Sequence, residues 1–507
     1  MALHPEKVAV SAGASASVEA HASLRDGKAR RKVVENQRHT FPLRRHTRHA
    51  VILLRATAVV TGADNMAGLD IYLKNPASKQ ENAHRRRSKA ADDAVWKVVS
   101  LHKEAVELRR SLDDKRQERS RIGYQFGHDL STLDKSIKYA KTLKDVIHSL
   151  EARVAAIDAE LFATANSLPN DTHPSTPIGP ESQSLIISAH GPPPMDPSTS
   201  RDHMRIACAF DWVDFESGAS VTGSSWYYLR NECALLELAL INYAISVAVR
   251  AGFSPVTVPD VVKSDIADRC GFHPRDQDGV SQNYHLGQQG SEPPLVLSGT
   301  AEIPLAGMFA QRIFKEKELP LRIVGLGHAF RAEAGARGAD TRGLYRVHQF
   351  TKVELFAVTR EEESEDMMNE MINVQRRIFE GLNLPFRVLE MPSEELGSSA
   401  YRKCDMEAWM PGRGSWGEIS STSNCTDYQA RRLHILHKPA KPNDSPPSPL
   451  PFAHTLNGTA AAIPRLIIAL LENNVRFGSH GEIVGVDLPR CLLPFWIGDV
   501  GDRVDFV

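Results

Sequence analysis

Two stretches between residues 88 and 165 repeat apolar residues at alternating spacings of three and four, and this pattern constrains the fold more than any other. An apolar seam of this kind forms where two helices pair along their length. The segment Ile122-Gly-Tyr-Gln-Phe-Gly127 interrupts it, so we expect a break at residues 123–127 and an antiparallel return helix. Helices of about 35 residues would make an arm about 50 Å long. The seam residues are Ala91, Ala94, Val98, Leu101, Ala105, Leu108 and Leu112, followed by Leu143, Ile147, Leu150, Val154, Ile157 and Leu161.

The outer surface of this predicted arm carries more basic than acidic residues. A projecting basic face can bind the phosphate backbone of RNA. An ordinary solvated coiled-coil surface and a dimerisation helix pair explain the same charges, and the arm alone does not separate these three interpretations. The basic residues are Arg85, Arg86, Arg87, Lys97, Lys103, Arg109, Arg110, Lys115, Arg116, Arg119, Arg121, Lys135, Lys138, Lys141 and Lys144.

The composition is that of a globular protein with two or three domains: the chain has 507 residues, a formal net charge of -1 and 42% hydrophobic residues. Six cysteines stand at positions 208, 233, 270, 404, 425 and 491. None form a C-x-x-C pair, which argues against a zinc site and against a disulfide framework. We find no apolar run of the roughly 18 residues that a membrane helix requires, so no membrane partner is expected.

Residues 1–65 differ from the rest of the chain. They are rich in Arg, Lys, Ala, Ser and Val and poor in acids, with basic clusters at Arg30-Arg-Lys32 and Arg44-Arg45. This composition resembles an organelle transit peptide and predicts a mitochondrial matrix location rather than a cytoplasmic one. A disordered basic tail and a mispredicted first exon, with Met66 as the alternative start, are the other interpretations.

Domain boundaries follow from the positions of Pro-, Gly- and Ser-rich segments. The arm ends at Ser167-Leu-Pro-Asn170, and a long amphipathic helix over Leu235–Ala251 is followed by the strand-like segment Phe253–Pro259. The predicted divisions are a basic segment at 1–65, the arm at 66–170, a linker at 171–200 and a catalytic domain at 201–507 with a Pro/Ser-rich surface insertion near 438–451.

A Gly- and Arg-rich segment runs from Phe330 to Gly343 with the sequence Phe-Arg-Ala-Glu-Ala-Gly-Ala-Arg-Gly-Ala-Asp-Thr-Arg-Gly. Arginines in such a loop can grip polyphosphate with their guanidinium forks. The segment Gln349–Phe356 alternates and is rich in Val and Phe, which indicates a strand. We therefore expect a strand, an arginine-bearing loop and a return strand, forming a hairpin that binds an anion. The alternative is a solvated charged turn.

The Phe330–Gly343 segment resembles motif 2 of the class II aminoacyl-tRNA synthetases, and within them the seryl-tRNA synthetases. Motif 1 of the class, which forms its dimer interface, resembles the segment from Leu235 to Pro259. The resemblance covers roughly residues 66–507. It implies an α+β fold, in which a long antiparallel helical hairpin precedes an antiparallel β-sheet catalytic domain flanked by helices. Three further stretches carry it: Ser298-Gly-Thr-Ala-Glu302, Gly417-Glu-Ile-Ser-Ser421 with Asp427-Tyr-Gln-Ala-Arg-Arg432, and His454-Thr-Leu-Asn-Gly-Thr459 leading to Arg465.

The resemblance also implies an ATP site with Mg²⁺. Arg331 would bridge the substrate carboxylate and the α-phosphate, and Arg346 would hold the outer phosphates. Phe350 would stack under the adenine, with Arg465 over its other face. The residues implied to be catalytic are Arg331, Glu333 and Arg465. Those implied to bind ATP are Arg331, Ala332, Glu333, Arg346, Val347, Phe350, Glu418, Ile419, Ser420, Ser421 and Arg465, of which Glu418 and Ser421 would hold the Mg²⁺ that comes with ATP.

The serine site is implied in the same way. Thr300 and Glu302 would contact the α-amino group, while Glu354 and Thr459 would contact the side-chain hydroxyl. A buried site that hydrogen-bonds a hydroxyl rejects alanine and glycine, because its polar groups would be left unpaired. The implied L-serine residues are Thr300, Ala301, Glu302, Arg331, Glu354, Asn457 and Thr459.

The activity implied by the resemblance is ATP-dependent activation of L-serine and its transfer to tRNA(Ser). The partners would be tRNA(Ser), L-serine and a second copy of the chain in a homodimer. Within the family, the arm would hold the tRNA by its shape and backbone. Two other functions stay open: a ligase that loads an amino acid onto a carrier protein, and a catalytically inactive paralogue that serves as an RNA-binding or scaffold protein.

Overall fold

The computed structural model describes residues 69–86, 93–125, 133–272, 282–287, 293–333, 343–439 and 449–507. The basic segment 1–65 and most of the predicted insertion near 438–451 lie outside the described residues. So does the centre of the Gly- and Arg-rich loop, residues 334–342. The predictions made for these segments stay predictions.

The apolar seams pair two long helices, as their spacing predicts. Two short helices, α1 (Asp70–Lys74) and α2 (Pro76–Arg85), precede α3 (Ala94–Gln125) and α4 (Leu133–Ser167). Along the seam, Val98, Leu101, Ala105, Leu108, Leu112, Leu143, Ile147 and Leu161 are buried. Ion pairs of Lys97 with Glu160 and of Arg116 with Glu151 show that the two helices run antiparallel.

The first arm helix ends inside the predicted break at residues 123–127. Helix α3 continues past Gly123 and ends at Gln125. A single glycine costs a helix only about 1 kcal/mol relative to alanine, so it does not have to end the helix.

The base of the arm is anchored by a fully buried arginine. The guanidinium of Arg86 donates hydrogen bonds to the backbone carbonyls of Asn170 at 2.7 Å, Asp171 at 3.2 Å and Ala400 at 3.0 Å, and to that of Gly397. Burial lowers the pKa of Arg86 to about 10. Because this one side chain donates to four carbonyl groups, Arg86 ties the arm to the loop that precedes the catalytic strands.

The region after the arm contains the remaining helices and strands. In chain order they are β1 (Leu185–His190), α5 (His203–Phe210), β2 (Val213–Asp214), α6 (Phe215–Val221), β3 (Tyr228–Leu229), α7 (Asn231–Arg250), β4 (Ser254–Thr257), β5 (Val261–Lys263), α8 (Ser264–Arg269), β6 (Leu295–Leu297), α9 (Glu302–Gly307), β7 (Ile313–Phe314), β8 (Leu321–Phe330), β9 (Gln349–Thr359), α10 (Ser364–Gly381), β10 (Phe386–Glu390), β11 (Arg402–Met410), β12 (Ser415–Asn424), α11 (Tyr428–Leu433), β13 (Leu436–His437), β14 (His454–Ala462), α12 (Ile463–Asn474), β15 (Val475–Phe477), β16 (Ile483–Leu488) and β17 (Val504–Phe506).

One eight-stranded sheet organises this region, in the order β1-β10-β11-β12-β14-β9-β8-β4. All neighbouring pairs are antiparallel except β4 and β8, which run parallel. Helices α7, α10 and α12 pack on one face and form the main apolar core with it. The opposite face of the central strands carries polar residues, and the site lies there. The observed architecture confirms the predicted α+β fold.

The predicted linker at 171–200 is wrong for residues 185–190. These residues form β1, which pairs antiparallel with β10 as the edge strand of the main sheet. Leu185, Ile186 and Ile187 are all exposed, so the strand lacks the alternation of apolar and polar residues that marks a half-buried strand. Its flanking Pro and Gly residues also favour the linker interpretation.

Among the described residues, α7 is long and apolar enough to cross a membrane by length and composition alone, although polar residues interrupt its apolar run. Its residues Cys233, Leu236, Leu240 and Ala244 are buried in the main core. Packing of these residues against the sheet explains why this face of α7 is apolar.

Candidate active site

Strand β9 supplies three of the site residues by simple alternation. Phe350, Lys352 and Glu354 lie on one face of the strand, while Val353 and Leu355 on the other face enter the main core. Lys352 is 8% exposed and Glu354 is 1% exposed. Their ammonium and carboxylate groups form an ion pair, with Nζ 2.8 Å from Oε2 of Glu354.

The neighbouring strand β14 brings Thr459 directly opposite Glu354 in the sheet register. The charges of Lys352 and Arg331 favour the ionised form of Glu354. Burial acts more strongly and raises the pKa of this carboxyl above its usual range. A buried carboxylate next to a hydroxyl is suited to accept a hydrogen bond from a small polar ligand.

Glu302 forms the second acidic group of this pocket. It begins α9, and its Oε1 accepts hydrogen bonds from Gln429 Nε2 at 2.6 Å and Asn457 Nδ2 at 2.9 Å. Burial, followed by the nearby charge of Glu354, raises the pKa of Glu302 to about 7. Because both amides donate to Oε1, Oε2 is left to receive a cationic group from a ligand. Ala301, just before Glu302, is buried below the pocket.

Thr300 lies between the two acidic groups. Its Oγ1 accepts hydrogen bonds from Lys352 Nζ at 3.1 Å and from the backbone N–H of Glu302 at 3.3 Å. Thr300 is 2% exposed. The residues that the sequence predicts for serine therefore do come together in one polar, largely buried pocket.

Arg331 follows β8 and borders the same pocket. Its Nε donates to the carbonyl oxygen of Gly299 at 3.3 Å, and its guanidinium lies 5.3 Å from the ring centroid of Phe350. Burial lowers the pKa of Arg331, partly offset by the charge of Glu333. Arg331 thus lies between the pocket and the predicted nucleotide side, where Phe350 is half-buried.

Glu333 and Arg346 form an ion pair across the motif 2 hairpin, with Nη1 3.2 Å from Oε2. Glu333 has a φ of 46°, in the left-handed region that a residue with a side chain rarely adopts. Ala332, next to it, donates its N–H to the carbonyl of Gln282 at 2.9 Å. Val347 is buried beneath the hairpin.

A β-bulge in β12 breaks the alternation of that strand. Met406 of β11 pairs with Ser420, whereas Glu407 pairs with Glu418, so Ile419 is the extra residue. Glu418 and Ser421 are three apart, and the extra residue allows them to face the same side of the sheet. Ile419 enters the core, and Ser420 Oγ donates to the carbonyl of Thr459 at 2.6 Å.

Arg465 lies in the first turn of α12 and contacts the bulge. Its Nη1 donates to the backbone oxygen of Glu418 at 3.0 Å, and its guanidinium lies 4.6 Å from the ring centroid of Tyr345. Burial opposes ionisation of Glu418, but the charges of Lys403, Arg465 and other basic residues outweigh it and hold the pKa of Glu418 below its usual range. The ionised carboxylate that a metal ion requires is therefore favoured, and its Oε2 lies 3.4 Å from Nη1 of Arg465.

The donors at this bulge fit Mg²⁺. A carboxylate and a hydroxyl are hard oxygen ligands, and Mg²⁺ usually takes one or two protein ligands together with waters and substrate phosphates. Among the described residues, no group of three His, Cys, Asp or Glu side chains could hold a metal ion by itself. Two protein oxygens plus phosphate oxygens suit the bulge better than an all-protein metal site.

The sequence reasoning did not single out Lys352 or assign a role to Gln429. The alternation of Phe350 and Glu354 along β9 would have placed Lys352 on the site face. The contact of Gln429 with Glu302 joins residues far apart in the chain, so local pattern gave no signal for it. The guanidinium of Arg465 lies over the ring of Tyr345 in this structure, and its place over the adenine stays a prediction.

Comparison with known proteins agrees with this geometry. Residues 284–474 match the family model of the tRNA synthetase class II core domain (G, H, P, S and T). The sheet and the site thus define a class II tRNA synthetase core.

Individual relatives identify the family within this class of synthetases. The chain is 39% identical to a serine–tRNA ligase of Dictyoglomus turgidum, over 85% of this chain and 98% of that protein. It is 40% identical to a mitochondrial serine–tRNA ligase of Schizosaccharomyces pombe, over 83% and 86%. A crystal structure of seryl-tRNA synthetase from Pyrococcus horikoshii complexed with ATP superimposes with a TM-score of 0.71 at 32% identity, over 85% of this chain and 98% of that one. The chain belongs to the seryl-tRNA synthetase family.

Proposed function

We propose that this chain activates L-serine with ATP, forming seryl-adenylate and pyrophosphate, and then transfers the serine to the 3′-terminal adenosine of tRNA(Ser). The observation that carries the proposal is the polar pocket around Glu354. A buried carboxylate with a hydroxyl opposite it suits a substrate with a short hydroxyl side chain. The second carboxylate, Glu302, suits the α-ammonium group of the same substrate.

The activation step requires two anions to approach each other, the serine carboxylate and the α-phosphate. Arg331 would contact both, because it lies between the serine pocket and the Phe350 ring. A fixed guanidinium there stabilises the charge that develops as the carboxylate oxygen attacks phosphorus and pyrophosphate leaves. The protein contributes positioning and charge more than covalent chemistry.

The nucleotide side is assigned to the remaining predicted residues. Phe350 would stack on the adenine, Arg346 would hold the outer phosphates, and Arg465 would lie on the far side of the nucleotide. Glu418 and Ser421 would hold Mg²⁺, which neutralises phosphate charge when bound. The bound ATP of the Pyrococcus horikoshii relative supports a nucleotide at this site.

The arm formed by α3 and α4 would bind tRNA. Its charged side chains stand on the outer surface of a paired hairpin, where a nucleic acid backbone can reach them.

Exposed apolar residues on α7, including Leu238 and Val249, support a homodimer in which this helix faces a second copy. A mitochondrial location is supported by the mitochondrial relative from Schizosaccharomyces pombe and by the basic composition of residues 1–65.

A two-part assay tests the proposal. Pyrophosphate exchange is measured with each of the 20 amino acids, and charging is then measured with tRNA(Ser) and with a carrier protein as acceptors. We expect exchange that depends on serine and charging of the tRNA. Exchange without tRNA charging would favour the carrier-loading ligase, and no exchange with any amino acid would favour the inactive paralogue.

A further inference from the structure

A buried lysine joins the two halves of the proposed serine pocket. The ammonium of Lys352 lies 2.8 Å from Glu354 Oε2 and donates a hydrogen bond to Thr300 Oγ1 at 3.1 Å. Glu354 belongs to the side of the pocket assigned to the serine hydroxyl, and Thr300 to the side assigned to the α-amino group. No residue of the motifs that define the site was expected to make this connection.

Lys352 also determines how Thr300 can bond. A hydroxyl oxygen has two accepting sites, and those of Thr300 are occupied by Lys352 and by the N–H of Glu302. The hydroxyl hydrogen of Thr300 is then left to be donated. Thr300 therefore serves as a hydrogen-bond donor in the pocket, and Glu302 is the acceptor that remains for a substrate ammonium.

The two negative charges of the pocket are matched by two positive charges only when Lys352 is included. Four charged groups act on one another here: Glu354 and Lys352 on β9, Glu302 at the start of α9, and Arg331 after β8. Across the sheet, β14 contributes the neutral Thr459. In the proposed reaction, Arg331 is occupied by the serine carboxylate and the α-phosphate. Lys352 then remains as the cation beside Glu354, at direct ion-pair distance.

We propose that Lys352 is a positioning residue for serine selection: its ammonium keeps Glu354 ionised and orients Thr300, so that Glu354 accepts a hydrogen bond from the serine hydroxyl. This inference rests on the proposed function. An ionised carboxylate accepts hydrogen bonds but donates none. It therefore demands a donor from the substrate, and alanine leaves without a donor the acceptor position of Glu354 that faces the substrate. A protonated, neutral Glu354 would discriminate less strongly between serine and alanine.

The pH dependence gives this role a signature. In the wild-type protein, kcat/KM for serine should rise with pH through about 7, since Glu302 must be ionised to bind the substrate ammonium. Burial raises the pKa of Glu354, and Lys352 is the largest opposing influence. Without Lys352, the carboxyl groups of Glu354 and Glu302 keep their protons to higher pH. The increase of kcat/KM for serine should therefore occur at higher pH.

The test compares Lys352→Met, which removes the charge, with Lys352→Arg, which retains it. Pyrophosphate exchange is measured from pH 6 to 9 with serine and with alanine. At pH 7 we expect Lys352→Met to raise the KM for serine by about tenfold or more. The KM for ATP should change little, the serine-to-alanine ratio should fall, and the deficit should shrink as pH rises. Lys352→Arg, which retains the charge, should keep most of the wild-type serine-to-alanine ratio.

Lys403→Met is the matched control, because Lys403 is a second largely buried lysine that pairs with Asp405 on β11, away from Glu354. Because the charge of Lys403 also acts on Glu418, this control can lower exchange, but it should do so equally for serine and alanine and leave their ratio unchanged. If Lys352→Met does not fold, Lys352→Gln keeps a donor for Thr300 without the charge and should show the same shift in pH dependence.

Two results would overturn the inference by itself: a serine-to-alanine ratio like that of the wild type in both uncharged variants, or a loss that is equal for serine and ATP at every pH. A wild-type protein without serine-dependent exchange would instead overturn the proposed function, and this inference with it.

Discussion

Replacing Thr459 by alanine tests the hydroxyl side of the pocket. Thr459 is 3% exposed and stands opposite Glu354 in the register of β9 and β14, where its hydroxyl would bond the serine hydroxyl. A hydrogen bond between two neutral groups contributes about 0.5 to 1.5 kcal/mol. Because alanine has no hydroxyl to lose this bond, the serine-to-alanine ratio of kcat/KM should fall by about twofold to tenfold.

The assay is pyrophosphate exchange with serine and with alanine at saturating ATP. Thr422→Ala is a matched control: Thr422 is as deeply buried on the adjacent strand β12, but its hydroxyl bonds Gln375 on the helical face of the sheet. The control should lower stability without changing the ratio. A ratio in Thr459→Ala equal to that of the wild type would refute the assignment of Thr459 to the serine hydroxyl.

Three further outcomes follow from the same geometry. Arg331→Ala should lower kcat/KM for exchange in a folded protein, which corresponds to a loss of transition-state stabilisation on the order of 3 kcal/mol or more. Near-normal exchange would contradict its role. Deleting residues 106–156 and bridging the gap with a short Gly/Ser linker should leave exchange intact but weaken tRNA binding, each lost phosphate contact removing about 0.7 to 0.9 from the log–log salt slope. Unchanged charging would make the arm a structural element. Arg86→Leu removes the hydrogen bonds that Arg86 donates to four buried carbonyl groups, of which only that of Asn170 keeps a second side-chain donor, Asn82. It should lower the free energy of unfolding by about 3 kcal/mol or more, measured by urea denaturation. A change below about 1 kcal/mol would contradict this anchoring role.

The arm and the catalytic strands were predictable because their patterns are local. The seam from Val98 to Leu112 has helical spacing, and β9 alternates from Gln349 onward. Strand β1 was missed because an edge strand with both faces exposed needs no apolar alternation. Helix α7 was predicted over Leu235–Ala251 as an amphipathic helix, and the structure begins it earlier, at Asn231.

The composition of the site was predictable from motifs, but its internal bonding was not. The sequence names Glu302, Glu354 and Thr459 as site residues, and the fold brings them together. The amides that hold Glu302 come from Gln429 and Asn457, more than a hundred residues away along the chain. Such contacts are created by tertiary packing, which local spacing does not encode.

The most direct test of the serine assignment is a crystal structure of the protein with a non-hydrolysable seryl-adenylate analogue, the seryl sulfamoyl adenosine. We expect the serine hydroxyl within hydrogen-bond distance of Glu354 and the ammonium at Glu302. We also expect the guanidinium of Arg331 between the seryl carbonyl and the sulfamoyl group that stands in for the α-phosphate. A seryl hydroxyl that points away from Glu354, or an ammonium that contacts neither Glu302 nor its neighbours, would contradict the account.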